Sequence, residues 1–259
     1  MTTNRQFTLA LQALAELKPE SDSRPESMPA APSLREVLAE MGLLPPGALF
    51  LGVASDGLPV LLNLHDPHPG PMLVAGDAGS GKTAFLQTIA HSVALTHPSS
   101  EVEFGVITNY PDEWEEVQAT AHRVGVFPTG HSSTREFIHS LAIWAHANKD
   151  TRRCVLLLVD DLESMARFEL EAVQDFRWLL LRGPARRVWP IVTLHAPRYG
   201  QVISWLQNFR TRIFGRVSEG RVAGALGANK SAALDQLVAG IQFSLPESTN
   251  WLRFWLPSS

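Results

Sequence analysis

The sequence predicts an α/β fold in which a mainly parallel sheet is covered by helices on both faces. From residue 72 onward, continuous apolar segments of strand length alternate with segments of helical periodicity. This alternation is typical of parallel strands that are buried on both faces. The chain has 259 residues, of which 45% are hydrophobic and 19% charged. It is therefore long enough to form one large domain with a substantial core.

Two segments of different character precede this domain. Residues 4–17 place Phe7, Leu11 and Leu14 at helical spacing, which predicts a short amphipathic helix. Residues 18–32 are rich in Pro, Ser and Glu, as flexible linkers are. We therefore divide the chain into a tethered helix with its linker, 1–32, and a globular domain, 33–259. The tethered helix is either a docking element for a partner protein or a frayed tail.

The globular domain is expected to begin with a helix and a small β-hairpin. Ser33 and Glu36 fit a capping box, and the helix that follows is predicted to end near Met41. Apolar runs at 49–53 and 58–64 flank an Asp-Gly pair, which predicts two strands joined by a tight turn.

The elements that follow are predicted from their apolar periodicity. Strands are predicted at 73–75, 102–108, 124–127, 155–159, 191–194 and 212–217. Helices are predicted at 84–96, 113–121, 170–181 and 202–209, and from a Ser133 or Thr134 cap to about 148. No internal repeat is evident.

The turn between the first of these strands and its helix has the pattern Gly-x-x-x-x-Gly-Lys-Thr. A preceding strand and a following helix are the context that a phosphate-binding loop requires. Its glycines let backbone N–H groups face a pyrophosphate, and the helix N-terminus adds its positive end. Lys82 is expected to contact the β- and γ-phosphates of ATP, and the Thr83 hydroxyl to bind Mg²⁺. The expected nucleotide-binding residues are Gly76, Asp77, Ala78, Gly79, Ser80, Gly81, Lys82 and Thr83.

Two carboxylates follow the apolar strand at 155–159. Ligands of open α/β sheets bind at the carboxyl ends of the strands, and a carboxylate there is needed to hold the Mg²⁺ that bridges the phosphates. Asp160 is the candidate for that role, and Asp161 is the candidate base that deprotonates the attacking water. The pair could also simply end a strand and cap the next helix.

Polar residues at the end of the strand at 191–194 are candidate sensors of the γ-phosphate. His195 or Thr193 could fill this role, although a buried, hydrogen-bonded histidine is an equally good interpretation. Arg182 and Arg186 precede the same strand and are candidate arginine fingers for a neighbouring subunit. The alternative is a solvated basic loop, and Arg187, Arg152 and Arg153 are weaker candidates of the same kind.

Composition indicates a cytoplasmic protein. The single cysteine, Cys154, begins an apolar run and is predicted to be a core residue in a reducing compartment. No apolar stretch approaches the ~20 residues of a membrane span. Residues 1–118 have net charge −10 and residues 119–230 net charge +7. The basic half could face a polyanion or the acidic face of a neighbouring subunit.

The order of these motifs resembles the motor core of the FtsK/SpoIIIE-type ATPases, in the FtsK–HerA branch of P-loop proteins. The resemblance spans about residues 47–256 and includes the hairpin, the phosphate loop and the strand with its two aspartates. Further agreement lies at Phe127-Pro128-Thr129, at Thr211-Arg212-Ile213 and at the closing stretch from Gln242 to Phe254.

The resemblance implies a RecA-like domain at 33–259 that works as a ring, often a hexamer, and pumps double-stranded DNA. The lysine, hydroxyl and Mg²⁺ aspartate of the family match Lys82, Thr83 and Asp160. Two positions depart from the pattern, because Asp161 stands where the family has a catalytic Glu and His195 where it has a sensor Gln. A carboxylate that is one methylene shorter misplaces the base, and misplacement of about 1 Å can cost about 10²-fold in rate.

Three functions follow as hypotheses. The first is a DNA translocase that hydrolyses Mg·ATP. The second is a nucleotide-binding module with little or no turnover that controls oligomerisation or recruits a partner. The third is a secretion-system ATPase.

Overall fold

The computed structural model describes residues 32–148, 152–247 and 250–258. The predicted helix at 4–17 and the linker up to residue 31 lie outside the described residues. The described chain begins with helix α1 (Leu34–Met41), for which Ser33 is the N-cap. The Ser33 hydroxyl accepts a hydrogen bond from the Glu36 N–H at 3.3 Å, and the Glu36 carboxylate accepts one from the Ser33 N–H at 2.8 Å. The predicted capping box is confirmed.

A hairpin follows this helix, as predicted. Strands β1 (Ala48–Ala54) and β2 (Pro59–Asn63) pair antiparallel. The turn between them is closed by a hydrogen bond from the Gly57 N–H to the Ala54 carbonyl at 2.9 Å.

The next elements alternate between strands and helices. They are β3 (Met72–Gly76), α2 (Lys82–Thr96), β4 (Val102–Thr108), a 3₁₀ turn (Pro111–Trp114), α3 (Glu115–Gln118), β5 (Arg123–Pro128) and α4 (Ser132–Ala147). After the undescribed residues come β6 (Cys154–Asp160), α5 (Leu162–Met165), α6 (Leu170–Arg182), a 3₁₀ turn (Pro184–Arg186) and β7 (Val188–His195).

The last part of the chain has shorter elements. It contains a 3₁₀ segment (Ala196–Asn208), β8 (Thr211–Phe214), α7 (Gly220–Ala225), two 3₁₀ turns (Lys230–Ala232 and Leu234–Gln236), β9 (Gln242–Glu247) and β10 (Asn250–Trp255). No helix in the part of the chain that the structure describes is long and apolar enough to cross a membrane.

The ten strands of the described residues form one sheet in the order β2-β1-β10-β9-β8-β3-β7-β6-β4-β5. The six strands from β8 to β5 run parallel, and the four from β2 to β9 are antiparallel. The core lies on both faces of this sheet. One cluster includes Phe176 and Phe214, and the other includes Phe85 and Trp189, all of them at most 1% exposed. The mainly parallel α/β fold predicted from the sequence is confirmed.

Several predicted boundaries were wrong. The helix expected at 202–209 is part of the 3₁₀ segment, which is kinked at Val202 (φ −127°, ψ 20°). The helix expected from a Ser133 or Thr134 cap is instead capped by His131, whose Nδ1 accepts from the Ser133 N–H at 3.3 Å. The strand expected to reach residue 217 ends at Phe214.

Candidate functional site

The glycine-rich loop connects β3 to the N-terminus of α2. Gly79 and Gly81 have φ angles of +70° and +88°, which only glycine adopts without strain. A Cβ atom on Gly81 would lie 2.6 Å from the Gly240 carbonyl oxygen. The loop therefore depends on glycine both for its backbone conformation and for the close approach of a second loop.

Asp77 fixes the loop to the segment after β8. Its N–H donates to the Arg216 carbonyl at 2.8 Å, and its Oδ2 accepts from the N–H and hydroxyl of Ser218 at 2.8 and 2.7 Å. Since β8 pairs with β3, these contacts hold the loop against the sheet edge from which it emerges.

The ammonium of Lys82 lies inside the curve of the loop. Its Nζ donates to the carbonyl oxygens of Gly76 at 3.2 Å and Asp77 at 2.7 Å. Burial lowers the pKa of Lys82, and the nearby carboxylates, led by Asp160 and then Glu163, oppose that shift. The lysine is thus a half-buried cation directed at the concave side of the loop.

A hydrogen-bonded chain joins the ends of α2, β6 and β7. The Thr83 hydroxyl donates to Asp160 Oδ2 at 2.8 Å, and the Thr193 hydroxyl donates to Asp160 Oδ1 at 2.8 Å. The Thr193 oxygen also accepts from the Asp161 N–H at 2.9 Å. Burial raises the pKa of Asp160, although these two hydroxyl groups and Lys82 oppose the shift. The structure therefore brings together the two predicted Mg²⁺ ligands, Thr83 and Asp160.

Asp161 adopts an unusual backbone conformation, with φ 109° and ψ 92°, and caps α5. Its Oδ1 accepts from the N–H groups of Glu163 and Ser164 at 3.0 and 3.4 Å. Its Oδ2 accepts from the Ser164 hydroxyl at 2.6 Å and from Asn109 Nδ2 at 2.9 Å. Burial acts to raise the pKa of Asp161, but these hydrogen bonds outweigh it and the pKa is lowered. Asp161 lies in the site as predicted, and it also caps a helix.

His195 ends β7 beside the start of the phosphate loop, since it is paired with Gly76 in the sheet. His195 is partly exposed, and its backbone N–H donates to Glu163 Oε1 at 3.2 Å. Burial lowers the pKa of His195, and the cationic groups of Lys82 and Arg198 lower it further. A neutral imidazole at this position can accept or donate a hydrogen bond to a ligand in the site.

Glu163, Asn109 and Arg198 also line the site but were missed from the sequence. Glu163 is 3% exposed, and its Oε2 has no hydrogen-bond partner among the described residues. Asn109 follows β4, so its position at the carboxyl end of a strand was a usable signal. Glu163 lies two residues after the predicted base on α5, and nothing in the sequence distinguished Arg198 from other surface arginines.

The predicted arginine fingers lie at the other edge of the sheet. Arg182 ends α6 and Arg186 lies in the 3₁₀ turn before β7, whereas the phosphate loop is beside the end of β7. Neither belongs to the phosphate site of its own chain.

Two of the weaker arginine candidates have structural contacts. Arg187 donates to the Leu64 carbonyl at 3.0 Å, and Arg153 pairs with Glu103 at 2.5 Å. Arg152 is exposed.

An open cavity of about 350 Å³ lies in front of these groups. It is lined by Ala78, Lys82, Thr83, Asn109, Tyr110, Glu113, Asp160, Asp161, Glu163, Thr193, His195 and Arg198. Hard oxygen ligands such as the Thr83 hydroxyl and the Asp160 carboxylate suit Mg²⁺, which usually keeps waters and substrate phosphates as its other ligands. The residues present therefore fit Mg²⁺ and the phosphates of a nucleotide.

Comparisons with known proteins agree with this geometry. The profile of the FtsK/SpoIIIE family matches residues 46–149. An ESX secretion system protein EccC from Geobacillus thermodenitrificans (strain NG80-2) is 29% identical over 185 residues. That alignment covers 70% of this chain and 12% of the relative, so the chain spans about an eighth of the relative's length.

Solved structures with the same fold include a secretion ATPase and a conjugation coupling protein. ATPases 2 and 3 of Thermomonospora curvata EccC, in complex with a signal sequence peptide, superpose with a TM-score of 0.69 at 14% identity. This match covers 97% of this chain and 47% of that one. The pCW3 conjugation coupling protein TcpA, with ATPγS, superposes with a TM-score of 0.67 at 13% identity, covering 99% and 82% of the two chains.

The resemblance seen in the sequence is thereby confirmed. The family profile covers the hairpin, the phosphate loop and the strands β4 and β5, and the solved structures share the same fold over nearly the whole chain. Residues 46–149 match the FtsK/SpoIIIE family, and the fold of the chain is that of RecA-like P-loop ATPases.

Proposed function

We propose that this chain binds Mg·ATP and hydrolyses it to ADP and phosphate. The observation that supports this most directly is the 2.8 Å contact between Thr83 and Asp160 beside the Lys82 ammonium. Lys82 would neutralise charge on the β- and γ-phosphates, and the N-terminus of α2 would face them. Mg²⁺, held by Thr83 and Asp160, would neutralise the charge that develops as the terminal phosphoryl group leaves.

We propose that hydrolysis drives movement of double-stranded DNA through a cytoplasmic ring of identical subunits. The match to the FtsK/SpoIIIE family supports this function. The shared fold with a conjugation coupling protein is consistent with it. In a ring the nucleotide site would lie between subunits, and arginines from the neighbour would complete it.

A second candidate is an ATPase of protein secretion. It is favoured by the relative that is 29% identical, which is a secretion system protein. The EccC structure with a signal sequence peptide has the same fold, which makes an exported polypeptide the alternative substrate.

The third candidate is a nucleotide-dependent assembly module with slow turnover. It is favoured by the carboxylate of Asp161, which accepts four hydrogen bonds and caps α5. In this case ATP would bind tightly, and its binding would promote oligomerisation or recruitment of a partner.

Steady-state ATP hydrolysis with and without long duplex DNA separates these candidates. Lys82→Ala tests the site, and Lys230→Ala is the matched control because Lys230 is exposed and lies outside the cavity. We expect Lys82→Ala to abolish hydrolysis, Lys230→Ala to leave it unchanged, and DNA to raise the wild-type rate several-fold.

Other outcomes would contradict parts of the proposal. Lys82-dependent turnover that responds to a signal-sequence peptide but not to DNA would select the secretion ATPase. Tight binding with negligible turnover would select the assembly module. Wild-type chain that fails to bind ATP would exclude all three.

A further inference from the structure

We propose that Glu163, rather than Asp161, is the general base that activates the attacking water. This inference rests on the proposed ATPase function and assigns a role within the same site. The spacing Asp160-Asp161-Leu162-Glu163 places a second acidic side chain on α5, two residues beyond the position that the sequence pattern indicated.

Asp161 is poorly placed to accept a proton from water. Each of its carboxylate oxygens already accepts two hydrogen bonds, from backbone N–H groups on one side and from Ser164 and Asn109 on the other. Because a carboxylate has about four lone-pair sites, all four are occupied. Its φ of 109° is a strained conformation that the cap stabilises, so turning the side chain toward water would also release the start of α5.

Glu163 has a free acceptor where Asp161 has none. Its Oε1 accepts from the His195 N–H at 3.2 Å, and His195 is paired in the sheet with Gly76, the first residue of the phosphate loop. Its Oε2 is buried and has no hydrogen-bond partner among the described residues. A buried polar atom without a partner costs about 1–3 kcal/mol, so its presence next to a binding site needs a reason.

Glu163 lines the same cavity as Lys82, Thr83 and Asp160. After Asp160 it is the carboxylate that acts most strongly on the Lys82 ammonium, ahead of Asp77 and Asp161. Its orientation is fixed from one side by the end of β7 and from the other by the first turn of α5. The free oxygen therefore belongs to a side chain that is held near the place where the γ-phosphate would lie.

The proton affinity of Glu163 suits a base that works near neutral pH. Burial raises the pKa of Glu163 to about 8, and the neighbouring carboxylate of Asp161 adds to this. The other charged and titratable residues that line this cavity come from several elements. They are Lys82 on α2, Tyr110 and Glu113 between β4 and α3, Asp160 at the end of β6, Asp161 after it, His195 at the end of β7 and Arg198 in the 3₁₀ segment that follows. A base is most effective when its pKa is close to the working pH.

The proposed step is a direct displacement. The water oxygen forms a bond to the γ-phosphorus, and the bond from that phosphorus to the β,γ-bridging oxygen breaks with its electron pair going to ADP. The proton of the water passes to the Glu163 carboxylate, which later returns it to solvent.

The test compares Glu163→Gln, Glu163→Asp and Asp161→Asn in the full chain. ATP hydrolysis is measured across pH 5.5 to 9.5, and nucleotide affinity is measured separately by fluorescence of a labelled ATP. We expect Glu163→Gln to lower kcat by about 10²-fold or more with an ATP Kd within about threefold of wild type. Asp161→Asn keeps an N-capping side chain and is expected to lower kcat by less than about tenfold. Glu163→Asp should recover part of the loss.

The pH profile separates a base from a structural residue. The wild-type kcat should rise with pH through the pKa of Glu163, because only the ionised carboxylate accepts a proton, and this rise should be absent in Glu163→Gln. The inference is overturned if Glu163→Gln has the same kcat as wild type, or if its kcat still rises with pH as in wild type. It is also overturned if the wild-type chain binds ATP without hydrolysing it. If the wild-type chain shows no ATP binding that depends on Lys82, the proposed function itself is refuted.

Discussion

At the scale of single residues, the hydroxyl of Thr193 connects the two aspartates at the end of β6, Asp160 and Asp161. It donates to the Asp160 carboxylate and accepts from the Asp161 N–H, and the residue is 2% exposed. A side chain on β7 thus orients the proposed metal ligand on β6. The arrangement depends on the register that places these strand ends together.

Thr193→Val should weaken both folding and Mg²⁺ binding. The substitution keeps the shape and leaves two partly buried polar groups, the Asp160 carboxylate and the Asp161 N–H, without this partner. The cost should be at most about 1–3 kcal/mol for each group, the value for a fully buried one. Urea denaturation measures the stability, and the Mg²⁺ dependence of nucleotide binding measures the site. Thr193→Ser retains the hydroxyl and is the control. Equal stability of the Val and Ser variants would contradict this role.

The raised pKa of Glu163 predicts that the stability of the fold depends on pH, which can be measured whether or not the chain hydrolyses ATP. Because burial raises its pKa to about 8 from an ordinary value of 4.5, the folded chain prefers the protonated form. This contribution is complete below pH 4.5 and is lost as the pH rises to about 8. Between these two pH values the unfolding free energy of wild type should fall by up to about 1.4 kcal/mol per pH unit from this group. Glu163→Gln mimics the protonated form and should not show this fall.

The control for this measurement is Glu40→Gln, because Glu40 is an exposed glutamate on α1. The unfolding free energy of the Glu40→Gln variant should change with pH in the same way as that of wild type. A constant difference between Glu163→Gln and wild type from pH 4.5 to 8 would show that Glu163 does not hold its proton in the folded chain.

The sequence predicted some site residues and missed others for a physical reason. Lys82, Thr83 and Asp160 occur in contiguous patterns whose geometry follows from the strand, loop and helix that contain them. The position of Glu163 depends on the direction in which α5 leaves β6, which is determined by the φ angle of Asp161 and its hydrogen bond to Thr193. Neither is visible in local residue types.

At the scale of elements, the junction of β3, the loop and α2 depends on glycine at its closest contact. Gly81 is the N-cap of α2 at positive φ, and the backbone of Gly240 packs directly against it. Gly57, in the β1–β2 turn, has a similar φ of +85°, but a Cβ atom there would have no neighbouring atom within 4 Å. The two positions therefore differ in packing and not in backbone conformation.

Gly57→Ala and Gly81→Ala form a matched pair. Gly57→Ala should cost only the strain of a left-handed residue, about 1–2 kcal/mol. Gly81→Ala adds a clash with backbone atoms, which typically costs about 1–3 kcal/mol more, and should abolish nucleotide binding. Thermal unfolding and nucleotide titration measure both effects. Equal destabilisation by the two substitutions would show that the Gly240 loop moves aside easily.

Elements were predictable where one signal dominated. The buried strands β3, β4 and β6 are continuous apolar runs, and the hairpin has an Asp-Gly turn, so their positions were predicted closely. The sequence predicts a helix at 202–209, which overlaps the end of the 3₁₀ segment Ala196–Asn208. Three apolar residues of this overlap are Val202, Trp205 and Leu206. Those residues are indeed buried, but through a kinked 3₁₀ path. Spacing alone reports which side chains face the core and not the hydrogen-bonding pattern of the backbone.

At the scale of the whole molecule, the sheet separates the phosphate loop from the candidate arginines Arg182 and Arg186. The strand order was not predictable from the sequence, because pairing of distant strands depends on tertiary packing and leaves no local signal. In the observed order, β3 and β7 are parallel neighbours, with the phosphate loop at their carboxyl ends and Arg182 and Arg186 before the amino end of β7. An eight-residue strand is roughly 25 Å long, so these arginines cannot reach the phosphates of their own chain.

Any effect of Arg182 and Arg186 on the chemical step must therefore come from a neighbouring subunit. We expect the double variant Arg182→Ala/Arg186→Ala to bind ATP normally and to lose most of its turnover. The Lys82→Ala variant should lose turnover because its own site is defective, while its arginines remain intact. Mixing the two inactive variants should restore activity, because some interfaces then combine an intact phosphate loop with intact arginines.

Random mixing in a closed ring makes about a quarter of the interfaces complete, which sets the expected recovery relative to wild type. Arg221→Ala, at an exposed arginine, controls for loss of surface charge. If the double variant hydrolyses ATP as fast as wild type, these arginines have no role in the chemical step. An inactive double variant that Lys82→Ala subunits cannot rescue would mean that the arginines support the fold or the ring rather than the transition state. Recovery near a quarter would instead establish that each nucleotide is hydrolysed between two subunits, with the amino-terminal edge of one sheet facing the carboxyl-terminal edge of the next.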